Sequence, residues 1–582
     1  MLDVINVSEG DESRISGVSD LPCLHFRRDP QLKGMEQMSH LDPSSFTEIK
    51  IEECSSFKRC QLDLLPRVST LTIEHCPNLE SLCIGEGPLP ALCHLTISHC
   101  PNLVSFPKGG LAASDLTRLV LEGCSYLKSL PENMHSLLPS LQNLQLISLP
   151  EVDSFPEGGL PSKLHTLCIE DCIKLKVCGL QALPSLSCFI FTGNDVESFD
   201  EETLPSTLTT LVINRLGNLK SLDYKGLHHL TSLQVLGIEG CHKLESISEQ
   251  ALPSSLENLD LRNLESLDYM GLHHLTSLQR LYIAGCPKLE SISELALPSS
   301  LKYLYLRNLE SLDYKGLHHL TSLYTLKIKS CPKVEFISEQ VLPSSREYQG
   351  LHHLTSLTNL SIKSYPKLES ISERALPSSL EYLHLCKLES LDYIGLQHLT
   401  SLHKLKIGSC PKLESLQWLP SSLEFLQLWD QQDRDYKELR HLTSLRKMQI
   451  RRSLKLESFQ EGTLPSSLED LEIWDLEDLE FKGFRHLTSL RELHICSSPK
   501  LESVPGEKLP SSLVSLQISG LINLKSVMGL QHLTSLRKLI ISDCPQLESV
   551  PREWLPLFRY DDIRRCPKLN LVIGDGLTIP FS

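Results

Sequence analysis

Cysteine is the residue type in this sequence with the widest chemistry, because thiolates form disulfides, bind zinc and act as nucleophiles. The chain has 20 cysteines in 582 residues. Zinc sites need cysteines paired at C-x₂₋₄-C spacing, and the 11 that recur in one context, just after an alternating apolar segment, are not paired in this way. We therefore expect a structural ladder of buried thiols, which pack as small apolar groups; a metal or disulfide role is the alternative. The ladder consists of Cys54, Cys76, Cys100, Cys124, Cys172, Cys241, Cys286, Cys331, Cys410, Cys544 and Cys566.

Histidine is the second candidate metal ligand, because adjacent pairs recur about every 45 residues in the middle of the chain. Successive pairs lie two repeats apart, so different pairs could not easily share one tetrahedral metal site. We predict no metal and interpret these histidines as surface or wedge residues of a return segment. They are His228-His229, His273-His274, His318-His319 and His352-His353, followed by single His398, His441, His486 and His532.

Motifs for catalysis are missing from the sequence. It contains no G-x-x-x-x-G-K-[ST] loop that could cradle a phosphate. It also contains no G-x-S-x-G or H-E-x-x-H motif. We therefore assign no catalytic residue and no cofactor, and we expect a protein that binds rather than an enzyme.

Composition narrows the class of partner. Hydrophobic residues make up 41% and charged residues 22% of the chain, a balance typical of a folded protein. The net charge of −16 argues against nucleic acid or an anionic membrane as the main partner. No apolar run is long enough to span a membrane. Met1–Gly10 does not resemble a signal peptide, so we expect a cytoplasmic protein with reduced thiols.

A short apolar motif, L-x-x-L-x-[LI], recurs through almost the whole chain. It begins, for example, at Leu278, Leu301 and Leu323, and looser matches extend the count to 24 units. All spacings but one lie between 21 and 25 residues. This is the period of leucine-rich repeats, in which each unit supplies one strand and one return segment.

The alternation within the motif predicts a strand with one buried face. Leu281 and Ile283 should point inward, and Arg280 and Tyr282 should point outward. Successive strands would stack in parallel about 4.8 Å apart. The sequence thus predicts an α/β fold of about 24 repeats, a right-handed leucine-rich-repeat solenoid (horseshoe) with a parallel sheet on its concave face.

The spacing also predicts the organisation of the chain. Units that open with L-P-S-S-L alternate with units that open with H-H-L-T-S-L, and one step, from Leu323 to Leu357, is 34 residues long. This spacing indicates that a strand has been removed there, so a long loop, a kink or a local break in the sheet is expected. The predicted divisions are a lead at 1–20, repeats at 21–341, an irregular join at 342–352, repeats at 353–571 and a tail at 572–582.

The exposed positions of the strands are the candidate binding residues, because an open parallel sheet is a regular binding surface. Tyrosine and arginine are common anchors of protein interfaces, but tyrosine also favours strands for its own sake. Both interpretations stay open for the first patch. It comprises Arg280, Tyr282, Tyr303, Tyr305 and Tyr324.

The second half of the array carries charges and a second aromatic group at the same positions. Neighbouring strands of opposite sign would relieve like-charge repulsion, whereas a charge-patterned surface would select a partner. The sequence leaves both interpretations open. The residues are Lys404, Lys406, Phe425, Trp429, Arg446, Lys447 and Trp474.

Several longer phrases resemble the repeat region of plant coiled-coil-class, nucleotide-binding, leucine-rich-repeat disease-resistance proteins. They are HCPNLVSFPKGGL (99–111), LKSLPENMHSLLPSLQNL (127–144), SFPEGGLPSKLHTLCIEDC (154–172) and GLQHLTSLRKLIISDCPQLESVP (529–551). The combination of C-P-x-L, S-F-P-x-G-G-L and G-L-x-H-L-T-S-L is more specific than L-x-x-L-x-L alone. The resemblance covers residues 20–570.

The resemblance implies a protein of plant innate immunity that recognises a pathogen effector, or a host protein that an effector has altered. In that family the repeats also hold a nucleotide-binding switch in its resting, ADP-bound state. The sequence contains neither the coiled coil nor the nucleotide-binding module. Such a module is therefore a possible partner, and no nucleotide site is assigned.

Other functions remain open at this level. A stand-alone adaptor or decoy, such as a ubiquitin-ligase substrate adaptor, is the main alternative, although the 20 residues ahead of the first repeat are too few for an F-box. A truncated, non-signalling gene product is another. An enzyme would need a catalytic segment outside the array. An extracellular receptor would carry a signal peptide and asparagine in place of the cysteines.

Overall fold

A computed structural model describes residues 23–580 apart from short internal stretches. The stretches left out are 39–45, 66, 84–88, 90, 200–202, 223–226, 249–250, 268, 271, 290–296, 310, 313–316, 318, 332, 335–350, 367, 372–374, 414, 431–435, 453–461, 477–478, 480, 551–562 and 574–576. The chain divides into two compact units: unit 1 ends at Ser266, and unit 2 begins at Leu267.

Unit 1 is built on a parallel sheet whose strands follow one another in chain order. Each is five residues long, and each residue lies directly opposite its counterpart in the next strand, as Cys188 lies opposite Thr210. The 11 described strands are Cys23–Arg27, Glu48–Glu52, Thr70–Glu74, His94–Ser98, Arg118–Glu122, Asn143–Ile147, Thr166–Glu170, Cys188–Thr192, Thr210–Asn214, Val235–Glu239 and Asn258–Arg262.

Unit 2 repeats this plan. Its described sheet strands are Arg280–Ala284, Tyr303–Arg307, Thr325–Lys329, Asn359–Lys363, Tyr382–Cys386, Lys404–Gly408, Phe425–Trp429, Lys447–Arg451, Asp470–Trp474, Glu492–Cys496, Ser515–Ser519, Lys538–Ser542 and Ile563–Arg564. The 11 and 13 strands of the two units match the predicted 24 repeats. All but the last begin two residues after the first residue of the predicted motif.

The core of each unit lies behind its sheet, as the alternation predicted. In strand Arg280–Ala284, Leu281 and Ile283 are buried, whereas Arg280 is exposed. The leucine that opens the motif, Leu278, is also buried. Full burial of one such side chain contributes about 1.5–3 kcal/mol relative to exposure. Because every coil repeats this layer, the apolar core runs along each unit.

A sharp turn follows each sheet strand, and its first residue has a left-handed backbone. Gly285 has a φ of 68° and Asn308 a φ of 51°. Glycine adopts this region without steric cost, and asparagine is among the residues that tolerate it best. The turn directs the chain away from the sheet and places the next residue, often a ladder cysteine, inside the core. The leucine motif did not reveal this position, although it is rich in Gly, Asn, Asp and Ser.

The return segments are short and contain little helix. Among the described residues, the α-helix Met134–Leu137 is joined by short 3₁₀ turns at Met35–Met38, Leu62–Leu64, Leu180–Ala182, Tyr436–His441, Phe484–His486 and Gly506–Lys508. Short strands complete the returns: Arg59–Gln61, Ser81–Cys83, Ser221–Leu222, Ser246–Ile247, Tyr269–Met270, Ser311–Leu312, Lys333–Val334, Ser370–Ile371, Tyr393–Ile394, Ser503–Pro505 and Ser526–Met528. The recurrent proline of L-P-S-S lacks an N–H and disfavours a helix, so the expected solenoid is present with a nearly all-β coil.

The sheet of unit 2 continues across the 34-residue step. Strand Thr325–Lys329 pairs directly with Asn359–Lys363, and Lys329 lies opposite Lys363. The backbone N–H of Thr358 donates to the carbonyl of Tyr324 at 3.1 Å. The expected break in the sheet therefore does not occur between these strands. The irregular join predicted at 342–352 lies, up to residue 350, outside the described residues, and a long loop there stays a prediction.

The predicted tail at 572–582 carries regular structure in its described part. Strands Asn570–Ile573 and Leu577–Pro580 pair antiparallel as a hairpin. The repeat pattern ends before this segment, which explains why the motif gave no sign of it. Across the described residues, no helix has the length and apolarity needed to cross a membrane.

Candidate functional site

The exposed face of the unit 2 sheet carries most of the predicted binding residues. Side chains at the first, third and fifth residues of each strand point to this surface, called here the open face, because alternate strand residues face opposite ways. In strand Tyr303–Arg307, these residues alternate with the buried Leu304 and Leu306. Since the strands pair residue for residue, the open face consists of three parallel rows of side chains.

The five residues of the predicted tyrosine patch come together: four occupy open-face positions, and Tyr324, one residue before strand Thr325–Lys329, borders them. The rings of Tyr282 and Tyr305 stack with centroids 4.4 Å apart. The guanidinium of Arg280 lies 5.1 Å from the ring centroid of Tyr303, which meets Tyr324 edge-on at 6.1 Å. Tyr303 and Tyr324 remain 38% and 42% exposed. The patch is thus preorganised by its own contacts and still presents two rings to solvent.

A groove of about 700 Å³ lies beside the tyrosine patch. Its lining includes aromatic side chains and lysines, and Asn359 and Ser361 add uncharged polar groups. We call it the basic groove. Its principal lining residues are Tyr303, Lys327, Lys329, Lys363, Tyr382 and His384. The repeat pattern did not predict this groove, because its residues come from strands on both sides of the 34-residue step.

The open face is uniformly positive around this groove. The twelve open-face positions of the four strands between Thr325 and Gly408 include five lysines and no acid. None of these lysines forms an ion pair with any residue that the structure describes. They are Lys327, Lys329, Lys363, Lys404 and Lys406. Two of them, Lys404 and Lys406, were predicted binding residues; the other three were not.

Burial and the positive charges of the groove lower the pKa of two of its residues, His384 and Lys363. Burial, with the nearby charges of Lys363, Lys406 and Lys327, lowers the pKa of His384 to about 4. Burial and neighbouring lysines also lower the pKa of Lys363 below its ordinary value. Both shifts have the sign expected for cations that lack counter-charges. His384 is therefore neutral at physiological pH.

The predicted cations farther along the face have partners. Arg446 pairs with Glu469 at 3.1 Å, and Lys447 pairs with Asp470 at 2.7 Å and with Glu472 at 2.6 Å. The structure thus supports charge relief between neighbouring strands for Arg446 and Lys447. The same interpretation does not extend to Lys404 and Lys406.

The second aromatic group lies on two strands, Phe425–Trp429 and Asp470–Trp474, with one strand between them. Lys406 lies 5.7 Å from the ring of Phe425, and Trp429 meets His384 edge-on at 5.5 Å. Trp474 is 38% exposed and lies in the same row as Trp429, with Arg451 on the strand between them. Phe425 and Trp429 therefore adjoin the lysines, whereas Trp474 lies among the ion pairs.

The indole of Trp429 lies directly over Gly408 on the preceding strand. A Cβ atom added at Gly408 would overlap the rings of Trp429. Glycine is thus needed here for close approach rather than for an unusual φ. The sequence gives Gly408 no special status, because the overlying residue is 21 positions away.

All 11 ladder cysteines are fully buried. Their thiols donate to backbone carbonyls two residues back, as Cys172 does to Glu170 at 3.5 Å, and some also reach the neighbouring coil, as Cys172 does to Leu146 at 3.4 Å. Burial raises the pKa of Cys172 to about 11. The Cys172 thiol is therefore a structural donor with little thiolate character. Within the ranges that the structure describes, no group of three or more His, Cys, Asp or Glu side chains could hold a metal ion.

Serine and histidine side chains join neighbouring coils on the return side. Among the described residues, the second serine of L-P-S-S donates to the leucine carbonyl of the preceding motif, as Ser300 does to Leu278 at 2.8 Å. Several of the recurring histidines donate through Nε2 to a leucine carbonyl of the preceding coil, as His398 does to Leu376 at 3.1 Å. These hydrogen bonds give the wedge histidines a specific role. The sequence did contain a signal for these bonds, because the histidines and the L-P-S-S serines both recur with the 45-residue period.

Comparison with solved structures finds proteins with a similar fold. The TLR13–ssRNA13 complex matches with a TM-score of 0.52 and 14% identity, over 96% of this chain and 93% of the other. The circular leucine-rich-repeat protein CroV588 matches with a TM-score of 0.49 and 17% identity over 95% of each chain. Internalin InlF from Listeria monocytogenes matches with a TM-score of 0.34 and 21% identity, over 61% and 86% of the two chains.

The fold and the likeness to the TLR13 complex define a parallel-sheet solenoid of the leucine-rich-repeat type. At these identities the likeness concerns the fold. The sequence matches no family model and no curated protein.

Proposed function

We propose that the chain is the protein-binding leucine-rich-repeat module of a plant immune receptor. It recognises a pathogen effector, or a host protein that an effector has altered, during defence in the cytoplasm. It acts by binding, without a cofactor of its own. A nucleotide-binding module, on a longer form of the chain or on a separate one, would turn recognition into a signal.

The observation that carries the proposal is the tyrosine patch on the open face. Arg280 and four tyrosines assemble there, and Tyr303 and Tyr324 stay exposed. Tyrosine and arginine are enriched among the residues that dominate protein interfaces. Rings already held in place lose little side-chain entropy on binding. The plant-immune part of the proposal rests on the sequence phrases that resemble disease-resistance proteins.

Binding through the patch is testable with matched tyrosine variants. The full chain is co-expressed with candidate effectors in leaf tissue, and bound effector is measured by co-precipitation. The double variant Tyr303→Ala, Tyr324→Ala should weaken a specific effector at least about tenfold, a loss typical of interface anchors. The control is Tyr126→Ala, which removes a 59% exposed tyrosine from unit 1. Equal binding by wild type, patch variant and control would place recognition elsewhere.

The receptor assignment has an independent test. Long transcript reads through the locus should contain an in-frame nucleotide-binding module upstream of Met1, or a neighbouring gene whose product binds this chain. If neither exists, the receptor assignment is wrong and a decoy or adaptor becomes the better explanation.

A further inference from the structure

Three cations lie in one row across three neighbouring strands of the open face. Arg307 is directly opposite Lys329, which is directly opposite Lys363. Neighbouring strands are about 4.8 Å apart, and like charges placed opposite each other destabilise a sheet. A second row runs beside the first, from Lys327 past Ser361 and His384 to Lys406.

This repulsion is not relieved within the part of the chain that the structure describes. The lysines of both rows form no ion pair there, and Arg307 has a buried Nε without a hydrogen-bond partner. The lack of ion pairs does not reflect a shortage of acidic residues, because the chain has 72 acidic and 56 basic residues. On other strands, cations such as Lys447 form ion pairs with acidic residues of the neighbouring strand. A destabilising arrangement of this kind is typical of functional sites.

The dimensions of the basic groove favour an extended peptide. The four strands from Thr325–Lys329 to Lys404–Gly408 span roughly 14 Å, the length of about four extended residues. The groove of about 700 Å³ is lined by tyrosines, whose rings can pack against a peptide backbone. Asn359 and Ser361 line it as well and can hydrogen-bond with main-chain groups. A long nucleic acid is less favoured, because the net charge of −16 repels a polyanion beyond the patch.

We propose that the basic groove binds an acidic segment of a protein partner, through carboxylates or phosphates that neutralise Lys327, Lys329 and Lys363. The inference rests on the proposed protein-binding function and adds the chemistry of the partner. The tyrosine patch supplies the adjoining aromatic contacts. The bound anions relieve the repulsion between Lys329 and Lys363, so part of the binding free energy comes from strain already present in the free protein.

The test measures binding of short labelled peptides to the full chain by fluorescence anisotropy. One peptide of about eight residues is rich in glutamate, a second carries phosphoserines in their place, and a third is neutral. Lys329→Gln and Lys363→Gln should each weaken binding of an acidic peptide about tenfold, the loss expected for one charge-assisted contact. Affinity should also fall as NaCl rises from about 50 to about 200 mM.

The control is Lys50→Gln. Lys50 occupies the third position of a unit 1 strand, and its ammonium group already pairs with Glu74. This variant should bind the acidic peptides as the wild type does. Preference between the carboxylate and phosphate peptides identifies the source of the charge. Three outcomes would overturn the inference: no saturable binding of either acidic peptide, equal weakening by Lys50→Gln, or tighter binding of an oligouridine than of both peptides. None of these bears on the effector assay, which depends on the tyrosine patch.

Discussion

Lys447 and Asp470 lie opposite each other on neighbouring strands of unit 2 and form an ion pair of 2.7 Å. Lys329 and Lys363 occupy a comparable cross-strand arrangement with two positive charges. The open face of one sheet thus contains both an ion pair, Lys447 with Asp470, and a like-charge pair, Lys329 with Lys363. This contrast leads to a prediction of opposite sign for two chemically identical substitutions.

Lys363→Gln should raise the stability of the isolated protein, and Lys447→Gln should lower it. The first removes a like-charge contact, and the second leaves Asp470 and Glu472 without their cation. Each change is expected to be roughly 0.5–1 kcal/mol. Urea unfolding midpoints, measured at low ionic strength, report both. A loss of stability in Lys363→Gln would show that the lysine row is not repulsive.

His384 should titrate with a pKa of about 4, well below an ordinary histidine. Because the folded state resists protonation, the unfolded state takes up the proton first as pH falls below about 6.5. Stability should therefore decrease from that pH down to about 4 and then level off with respect to this group. Chemical shifts of ¹³C-labelled histidine, assigned with His384→Gln, give the pKa directly.

The same titration tests the origin of the shift. In Lys363→Gln the pKa of His384 should move back toward its ordinary value, because one of its positive neighbours is gone while burial, Lys406 and Lys327 remain. An unchanged pKa would mean that Lys363 does not contribute to the shift.

Ser300→Ala should destabilise unit 2 by about 1 kcal/mol, the usual net contribution of one hydrogen bond. The substitution removes the 2.8 Å bond to the carbonyl of Leu278 on the preceding coil. Ser299→Ala is the matched control, because Ser299 is exposed and its loss should change stability little. Denaturant midpoints of the two variants should differ; coincident midpoints would mean that the bond between the coils contributes nothing.

Native alkylation should separate the ladder cysteines from the exposed ones. Cys178 is exposed, whereas Cys172 is buried and has a pKa raised to about 11. Iodoacetamide reacts with accessible thiolates, so peptide mass spectrometry should find Cys178 modified and Cys172 intact until the protein is unfolded. Early modification of Cys172 in the native protein would contradict its structural role.

Gly408→Ala should displace the indole of Trp429, because the added methyl group occupies the space of its rings. The expected result is a red shift of tryptophan fluorescence as the ring becomes more hydrated. The shift should be absent when the same substitution is made in a Trp429→Phe background. A normal spectrum in Gly408→Ala would show that the strand adjusts instead of the ring.

Much of the fold could be read from the sequence because each coil is specified locally. The spacing of leucines located every described sheet strand but the last, and the alternation separated Leu281 and Ile283 from Arg280 and Tyr282. The tyrosine patch was predictable for the same reason, since its members occupy exposed positions of consecutive motifs. The left-handed turn and the Ser300 and His398 hydrogen bonds were missed, because their partners are backbone atoms that a motif of side chains does not reveal.

The sequence by itself determined the repeat, the buried face of each strand and the position of the cysteine ladder, because these follow from a period of about 22 residues. Only the tertiary structure decided which side chains meet across strands. Lys447 forms ion pairs with acids on the neighbouring strand, whereas Lys329 lies opposite Lys363. The physical reason is that the 34-residue step leaves the sheet continuous, so residues that the sequence separates widely become direct neighbours. The basic groove exists only through that pairing.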